Sequence, residues 1–585
     1  MPFDKDTKIG HIWANAAGRA ILNQYVPELG NSPFLPFSKA RTLPELAVAN
    51  EAWTWPDELL AAVLSELARI PDETTARQAS GCVPGAIAEA DTGAEASAAK
   101  VISAPDSAER WGIFELELEA GGLGYANPFT DITLQAEFVQ DGQRVNVQGF
   151  YDGSGIYKVR FMPASEGEWT YRTVCNATPL AGIAGKFTCT PPVAGNHGPV
   201  RVARQFHFAY ADETAYAPVG TTCYAWIHQS EALQQETLQT LAESPFNKLR
   251  MTVFPKFYQF NLEEPELFPY EGSLAQGWDF TRFNPVFFRR MEERLLDLMK
   301  LGIEADLILF HAYDRWSFSE MEPAADDLYL RYLTARLSAF RNLWWSLANE
   351  YDLMWAKEAE DWERFAGIIT EGDPAGHLIS IHNCFDFYDY SRPWVTHCST
   401  QRVDVYRTAE NTTEWRERWG KPVVIDECAY EGNIDLGWGN ITGQEMVRRF
   451  WEGAVRGGYV GHGETYLHPE EILWWSKGGK LYGSSPERIG FLRTILETAP
   501  GNGLEPLKSD WDVPCAGIKD QYYLYYYGFN QPAYRQYAMK PGVRYKAEII
   551  DTWNMSIQEQ PGEYEGHFRL ELPGSPYIAV RLTAV

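Results

Sequence analysis

Two glutamates that lie far apart in the chain each end a run of apolar residues. Glu350 ends "LWWSLANE" (343–350), and Glu427 ends "PVVIDE" (422–427). A short apolar run of this kind is typical of a buried strand, so each run predicts a strand that carries a carboxyl group at its tip. Two carboxyl groups that face each other can divide bond cleavage between them, because one protonates the departing oxygen while the other attacks or activates water.

Other polar side chains stand near the ends of similar runs. Arg250 lies near the end of "NKLRMTVF" (247–254), where it could hydrogen-bond one of the carboxylates and hold it ionised. Asn349, beside Glu350, could bind a substrate hydroxyl next to the reacting carbon. The further candidates for substrate binding, most of which core packing could explain equally well, are His311, His382, His397, Tyr224, Trp226, Glu464, Trp474 and Trp475.

Eight apolar runs have to position these side chains, and they alternate with amphipathic helical segments. The runs are "YAPVGTTC", "NKLRMTVF", "EADLILF", "LWWSLANE", "LISIHNC", "WVTHCST", "PVVIDE" and "GGYVGHGE". Eight βα units predict an α/β fold with a TIM (β/α)8 barrel at residues 201–503, whose chemistry collects at the carboxyl ends of the strands. Strands 4 and 7 lie on opposite sides of such a barrel, so Glu350 and Glu427 are expected to face each other across its mouth.

The segments on either side of the barrel have different patterns. Residues 1–70 predict a helical unit, with a capping box at Thr42–Glu45, and residues 71–107, rich in Ala, Gly, Ser and Glu, predict a linker. Short alternating strands separated by turns predict an N-terminal β-sandwich at 108–200 and a C-terminal β-sandwich at 504–585.

Composition excludes several classes of partner. With 585 residues, 45% hydrophobic and 22% charged, the chain is an ordinary globular protein of several domains. Its formal net charge of −28 argues against nucleic acid or an anionic membrane surface as the main partner. The eight Cys are scattered, and no secretory leader or membrane-spanning run is evident, so we expect a cytoplasmic protein with reduced thiols.

The order of Arg250, Asn349-Glu350 and Glu427 on strands 2, 4 and 7 resembles the retaining (β/α)8 glycoside hydrolases of clan A. The segments "WSLANEYD" and "VVIDE" resemble the cellulase-like and apiosidase-like group within that clan, and the flanking sandwiches are similar to accessory domains of some members. The resemblance implies hydrolysis of an O-glycosidic bond with Glu350 as acid/base and Glu427 as nucleophile. No cofactor and no metal are expected.

Within that class we expect a small neutral glycoside or oligosaccharide and exo action, because long loops after strands 2 and 8 could close a pocket. One alternative is a metal-dependent hydrolase on the same barrel, although the His-x-His pair expected after strand 1 is missing. Another is a carbohydrate-binding protein without catalysis, against which the two carboxyl groups count. The apolar residues of 1–70 further suggest a homo-oligomer in which this unit helps to build the interface.

Overall fold

The barrel at the centre of the molecule explains how the two glutamates are brought together. The structure, a computed structural model, describes residues 3–30, 32, 35–49, 55–70, 99–401, 407–501, 503–508 and 511–585. Barrel strands 1 to 8 are Gly220–Thr222, Lys248–Thr252, Glu304–His311, Leu343–Asn349, Leu378–Ser380, Cys398–Gln401, Val423–Glu427 and Tyr459–His462. Neighbouring strands pair in parallel, including strand 1 with strand 8. A bridge between His382 and Ser399 joins strands 5 and 6 and completes the ring.

Helices cover the outside of the barrel between successive strands. They are Glu231–Glu243, Pro285–Lys300, Pro323–Leu337, Ala359–Gly372, Thr412–Trp419, Gly443–Ala454 and Ser485–Thr498. Strand 5 instead leads to strand 6 through residues 381–397 without a helix, so one of the eight predicted βα units is incomplete. This segment contains Asn383, Asp389 and Pro393, residue types that favour turns over helix.

A small antiparallel sheet closes the lower end of the barrel, which is the end at which the barrel strands begin. Its strands are Val200–Ala203, His207–Tyr210 and Ala215–Tyr216. Phe208 and Tyr216 of this sheet belong to one buried cluster with Trp344, Val424 and Tyr459, which stand at the beginnings of barrel strands. The apolar contact therefore lies at the end of the barrel opposite to the two glutamates.

The N-terminal sandwich consists of two sheets that share the long strand Gln143–Tyr151. Its other strands are Lys100–Ser103, Ser107–Glu109, Phe114–Glu119, Leu134–Gln140, Ile156–Phe161, Gly167–Cys175 and Ala184–Thr190. Most of the predicted linker, residues 71–98, lies outside the described residues. Its last part differs from the prediction, because Lys100–Ser103 is already an edge strand paired with Phe114–Glu119.

Buried ion pairs join this sandwich to the barrel. Arg160 of the sandwich donates to Glu292 of helix Pro285–Lys300 at 2.9 Å. Arg336 of the next helix donates to the same carboxylate at 2.5 Å and to Asp152 of the sandwich at 2.7 Å. The four side chains are all buried, so each charge depends on its partners across the interface.

The C-terminal sandwich lies beyond the last barrel helix. One sheet contains Glu505–Pro506, Cys515–Ile518, Tyr522–Tyr526, Arg544–Asp551, Ser556–Glu559, Tyr564–Glu565 and Ile578–Ala584, and a second contains Tyr534–Ala538 and His567–Glu571. Tyr526 stacks on Trp451 of a barrel helix with ring centroids 5.3 Å apart. This sandwich is therefore also packed against the barrel.

The N-terminal helical unit has its own small core and docks on the barrel of its own chain. Its helices are Ile9–Ala14, Ala16–Tyr25, Pro27–Gly30, Leu35–Lys39, Leu43–Ala49 and Asp57–Leu67. The predicted capping box is present, because Thr42 and Glu45 exchange side-chain-to-backbone hydrogen bonds. Lys39 forms a 2.5 Å ion pair with Glu320 of the barrel. Since its apolar residues are covered within the chain, they no longer argue for an oligomer, which stays a prediction.

Among the helices in the described residues, none combines the length and the apolar composition needed to span a bilayer.

Candidate active site

Glu350 stands at the tip of barrel strand 4, in a backbone conformation that few residues other than glycine adopt. Its φ is 55° and its ψ is 58°, in the left-handed region, which costs a non-glycine residue about 1–3 kcal/mol. Three neighbours fix the carboxyl group: Tyr313 donates to it, Asn349 Nδ2 donates at 3.0 Å and Gln401 Nε2 donates at 3.2 Å. An unfavourable backbone supported by three polar contacts points to a functional position.

The surroundings of Glu350 disfavour its ionised form. Burial, and next the negative charge of Glu427, raise the pKa of Glu350 to about 7, while Lys256 acts in the opposite direction. A carboxyl group with this pKa can give up a proton to a leaving group and take it back later, as a general acid/base must.

Glu427 ends barrel strand 7 in different surroundings. Its carboxylate accepts a hydrogen bond from the phenol of Tyr224, which follows barrel strand 1. The same phenol oxygen lies 3.1 Å from Asn349 Oδ1, so Tyr224 links the two glutamates through Asn349. The Tyr224 phenol therefore fixes the position of the Glu427 carboxylate, and the two glutamates have different hydrogen-bond partners.

A buried group of four charges lies beneath these residues. Lys248 contacts Asp306 at 2.6 Å and Asp426 at 2.7 Å, and Arg250 contacts the same two carboxylates at 3.2 Å and 3.7 Å. Burial by itself would raise the pKa of Asp426, but Lys248 and Arg250 hold it well below its ordinary value. The two positive and two negative charges cancel, so this group is neutral. One of its members, Asp426, directly precedes Glu427 in the sequence.

Arg250 is placed differently from the prediction. Its Nη2 donates to Asn349 Oδ1 at 3.0 Å, and its Nη1 donates to Asp306 and to Ser346. The donor on Glu427 is Tyr224 rather than Arg250. Arg250 therefore acts on Asn349, whose amide it orients with the nitrogen toward Glu350.

A cavity of about 190 Å³ contains both glutamates. Its wall is largely aromatic: Phe37, Tyr224, Tyr258, Tyr313, Phe385, Tyr430, Trp438 and Trp475 line it, together with Lys256, Cys384, Gln401 and Ala429. A mostly apolar pocket with a few convergent polar groups is the general form of a small-molecule site. Flat aromatic faces also suit the apolar faces of sugar rings.

Lys256 is a cation held within this wall by aromatic rings. Its Nζ lies 3.9 Å from the ring centroid of Tyr224, 4.3 Å from that of Tyr313, 5.0 Å from that of Trp475 and 5.4 Å from that of Tyr258. Burial lowers the pKa of Lys256 to about 8. Its charge offsets that of an ionised Glu427, so a cavity with Glu350 protonated is electrically neutral.

Four of the residues predicted from the sequence line the cavity, namely Glu350, Glu427, Tyr224 and Trp475, and Arg250 and Asn349 lie directly beneath it. Two predicted tryptophans point elsewhere. Trp226 contacts Met251 in the core, and Trp474 donates to Thr221 at 2.8 Å. Of the neighbouring pair, Trp475 is the one whose ring reaches the cavity.

The three predicted histidines lie outside the cavity wall. His311 is bonded to the carbonyl oxygen of Phe254 at 3.1 Å. His397 packs edge-on against Trp344 near the lower sheet, with ring centroids 5.1 Å apart. His382 is wholly buried beside the bridge between strands 5 and 6. Burial lowers the pKa of all three side chains, so they are neutral core residues.

Glu464 also lies away from the cavity, in a group with Glu431 and His462. These three are the one set of side chains, among the described residues, whose donor atoms could share a metal ion, since they all lie within 4.8 Å of one another. The two carboxylates already accept the backbone N–H groups of residues 482–485. They fasten this segment at the beginning of helix Ser485–Thr498, and the cavity chemistry does not involve them.

Several wall residues were missed in the sequence. Lys256 and Tyr258 follow strand 2 in "VFPKFYQF", Tyr313 follows strand 3 in "HAYD", and Gln401 ends strand 6. The signal available was their position directly after a strand. Phe37 could not have been found this way, because it comes from the N-terminal helical unit, far away in sequence.

Comparison with known proteins agrees with this geometry. The family model described as "Apiosidase-like, catalytic domain" matches residues 203–492. Two models of domains of unknown function, DUF5060 and DUF5605, match residues 107–176 and 511–583. No curated protein gives a significant match to the sequence.

Solved structures extend the likeness over most of the chain. A candidate glycoside hydrolase from Bacteroides vulgatus ATCC 8482 is 39% identical, with 82% of this chain and 100% of that one covered and a TM-score of 0.78. A glycoside hydrolase family 5 protein from the same organism is 14% identical, with coverage of 67% and 95% and a TM-score of 0.53. Another protein, described as a glycoside hydrolase, is 14% identical, with coverage of 67% and 98% and a TM-score of 0.52. The last two show the fold alone.

Proposed function

The chain belongs to the clan A glycoside hydrolases and carries an apiosidase-like catalytic domain, and on this basis we propose that it is a retaining, exo-acting glycosidase for a small neutral glycoside or oligosaccharide. Glu350 is the acid/base and Glu427 the nucleophile. The observation that carries the proposal is the pair itself: both carboxyl groups line one cavity, Glu350 with its pKa raised to about 7 and Glu427 under the phenol of Tyr224.

The reaction proceeds in two displacements. Glu427 attacks the anomeric carbon while Glu350 gives its proton to the departing oxygen, which forms a covalent glycosyl-enzyme. Glu350, now ionised, then takes a proton from water as the water attacks the same carbon and releases Glu427. This scheme needs the two carboxyl groups about 5–5.5 Å apart, whereas inversion needs about 6.5–9.5 Å.

Asn349 and Lys256 are the polar groups that we assign to the sugar. Arg250 holds the Asn349 amide in place at 3.0 Å, so that its NH2 group can serve the hydroxyl beside the anomeric carbon as well as Glu350. The ammonium of Lys256 is held by rings, and it can donate to a second hydroxyl. Since Lys256 and Glu427 cancel in charge, a neutral sugar leaves the cavity neutral and an anionic one does not.

The shape of the cavity favours a terminal sugar. Aromatic side chains from the loops after strands 1, 2, 3, 7 and 8 line it, and Phe37 of the helical unit adds a further wall. An enclosed pocket accepts a chain end more readily than the middle of a polymer. Because the matching family model is described as apiosidase-like, glycosides of apiose, a branched pentofuranose, belong with pentosides and hexosides in the first substrate screen.

The test compares alanine variants of the two glutamates on substrates that turn over. Glu427→Ala should abolish activity on every substrate, because no covalent intermediate can form. Glu350→Ala should cost about 10²–10⁴-fold on natural glycosides. In this variant, the rate at which the covalent intermediate forms should fall much less when the leaving group is nitrophenolate or fluoride. Added azide should restore turnover.

Two outcomes would refute the assignment. Equal leaving-group dependence in both variants would remove the distinction between acid and nucleophile. ¹H NMR during hydrolysis shows the anomeric configuration of the product, and inversion of that configuration would exclude the double displacement. Absence of turnover on all nitrophenyl glycosides, furanosides included, together with binding of a sugar, would favour the carbohydrate-binding alternative.

A further inference from the structure

A second cavity opens between the N-terminal helical unit and the barrel. It measures about 720 Å³ and shares two wall residues, Phe37 and Phe385, with the catalytic cavity. One side consists of residues 37–45 of the helical unit, and the other consists of the loops after barrel strands 4 and 5, where Asp352 and Asp386 lie. This groove therefore borders the catalytic cavity.

The groove begins on the side of the acid. Asp352 and Leu353, which line it, follow Glu350 in the chain with Tyr351 between them. Phe37 also packs edge-on against Tyr313, whose phenol donates to Glu350, with ring centroids 5.7 Å apart. A general acid has to reach the departing oxygen, so the leaving group lies next to it. The groove consequently lies next to the position that the leaving group would take.

Both sides of the groove are held in place by specific contacts. The Asp352 carboxylate accepts the backbone N–H groups of Cys384, Phe385 and Asp386 at 2.6, 2.7 and 3.0 Å. Phe385 is nonetheless 59% exposed. A fixed backbone that presents a large apolar ring to solvent is unusual for a purely structural residue and is suited to stacking on a ligand.

The helical unit packs on the loop that follows Glu350, the proposed acid. Trp355 of this loop lies 5.7 Å from the ring of His11 and 5.5 Å from Lys39 Nζ, measured to ring centroids. A Cβ added to Gly10 would come within 2.3 Å of Trp355, so the helix Ile9–Ala14 lies directly on the indole. These contacts hold Phe37 at the boundary between the two cavities.

We propose that this groove is the binding site for the leaving group, and that it takes a sugar residue rather than a small aglycone. Two aromatic rings offer faces for the apolar side of a sugar, and Arg41, Glu45 and Asp386 offer polar groups for its hydroxyls. The proposal rests on the proposed function, because it takes Glu350 as the acid. It makes the N-terminal helical unit part of the active site.

The experiment uses two substrates that share one glycone, chosen from the nitrophenyl screen: the glycosyl fluoride and a disaccharide. Fluoride leaves the groove empty, whereas the disaccharide places its second sugar there. In the full-length protein, Phe385→Ala should lower kcat/KM about tenfold more on the disaccharide than on the fluoride, because Phe385 borders both cavities but only the disaccharide fills the groove. Phe37→Ala should act in the same direction. Phe529→Ala, which removes a phenyl ring of similar exposure (58%) from the C-terminal sandwich, is the matched control.

Equal losses on both substrates would overturn the proposal, because they would show a structural role for the ring. No loss on either substrate would overturn it as well. Thermal unfolding of each variant separates misfolding from lost binding, and Phe385→Leu gives a second surface variant at the same position. If the wild type turned over neither substrate, the proposed function itself would fail, which is a different result from equal losses in an active enzyme.

Discussion

The phenol of Tyr224 donates a hydrogen bond to the carboxylate of Glu427, while its oxygen also lies 3.1 Å from Asn349 Oδ1. Arg250 donates to the same Asn349 oxygen from below. Tyr224 therefore fixes the side chain of the proposed nucleophile and links it to the amide that contacts the acid. Burial, and next the charge of Glu427, raise the pKa of Tyr224 well above its ordinary value, so the phenol keeps its proton.

Tyr224→Phe should lower kcat/KM about 10–100-fold, since a hydrogen bond to a charged group contributes about 1.5–3 kcal/mol. The loss should appear on every substrate, because each of them reacts with the carboxylate that Tyr224 positions. Tyr329→Phe removes a buried phenol that donates to the Leu309 carbonyl, outside the cavity, and should leave kcat/KM unchanged. A kcat/KM of Tyr224→Phe equal to that of the wild type would contradict the contact's role.

The alkaline limb of kcat/KM should have its midpoint near pH 7. Burial and the charge of Glu427 raise the pKa of Glu350 to about 7, and the acid must be protonated when substrate binds, so activity falls as the pH rises through that value. Glu350→Gln should lack this limb on glycosyl fluorides, which need no proton on the leaving group. A limb that persists unchanged in Glu350→Gln would assign it to another group.

Lys256→Met should move the alkaline limb upward by about 1 pH unit, because a nearby cation stabilises the ionised form of Glu350 and its loss makes the proton harder to remove. We also expect a lower kcat/KM on neutral glycosides, with partial recovery in Lys256→Arg. Lys300→Met, at an exposed lysine paired with Asp297, is the control. A shift downward in pH would show that Lys256 acts on a different group.

Arg336→Met should destabilise the protein by about 3–5 kcal/mol, since it leaves Glu292 and Asp152 as buried anions that have lost a partner. Arg331→Met on the exposed face of the same helix should change stability little. Denaturant or thermal unfolding of both variants measures the difference. Equal midpoints for the two variants would mean that the interface tolerates the loss of this charge.

The strands and the two glutamates could be predicted from the sequence because each depends on a local pattern. A dense apolar run that ends in a carboxylate, as at Leu343–Glu350, identifies both the strand and its tip. The eight runs correspond to the eight barrel strands, and the (β/α)8 fold is confirmed.

The wall of the cavity was less predictable, because its members differ in type and come from separate segments of the chain. Lys256 and Gln401 could have been found only by their positions at strand ends, and Phe37 reaches the cavity only because the helical unit folds back. The histidines were misleading because they also stand near strand ends in the sequence. His311 is bonded to the Phe254 carbonyl, and His397 precedes strand 6 and lies beside Phe208 of the lower sheet.

The small sheet that contains Phe208 and Tyr216 has a consequence for the order of events during turnover. It covers the lower end of the barrel, so in the described part of the molecule the substrate, the leaving sugar and the attacking water all pass through the mouth. The leaving sugar must therefore vacate the space beside Glu350 before water can enter it. In the proposed double displacement, that sugar competes with water for the glycosyl-enzyme until it diffuses away, and high concentrations of it should regenerate substrate or yield new oligosaccharides instead of hydrolysis.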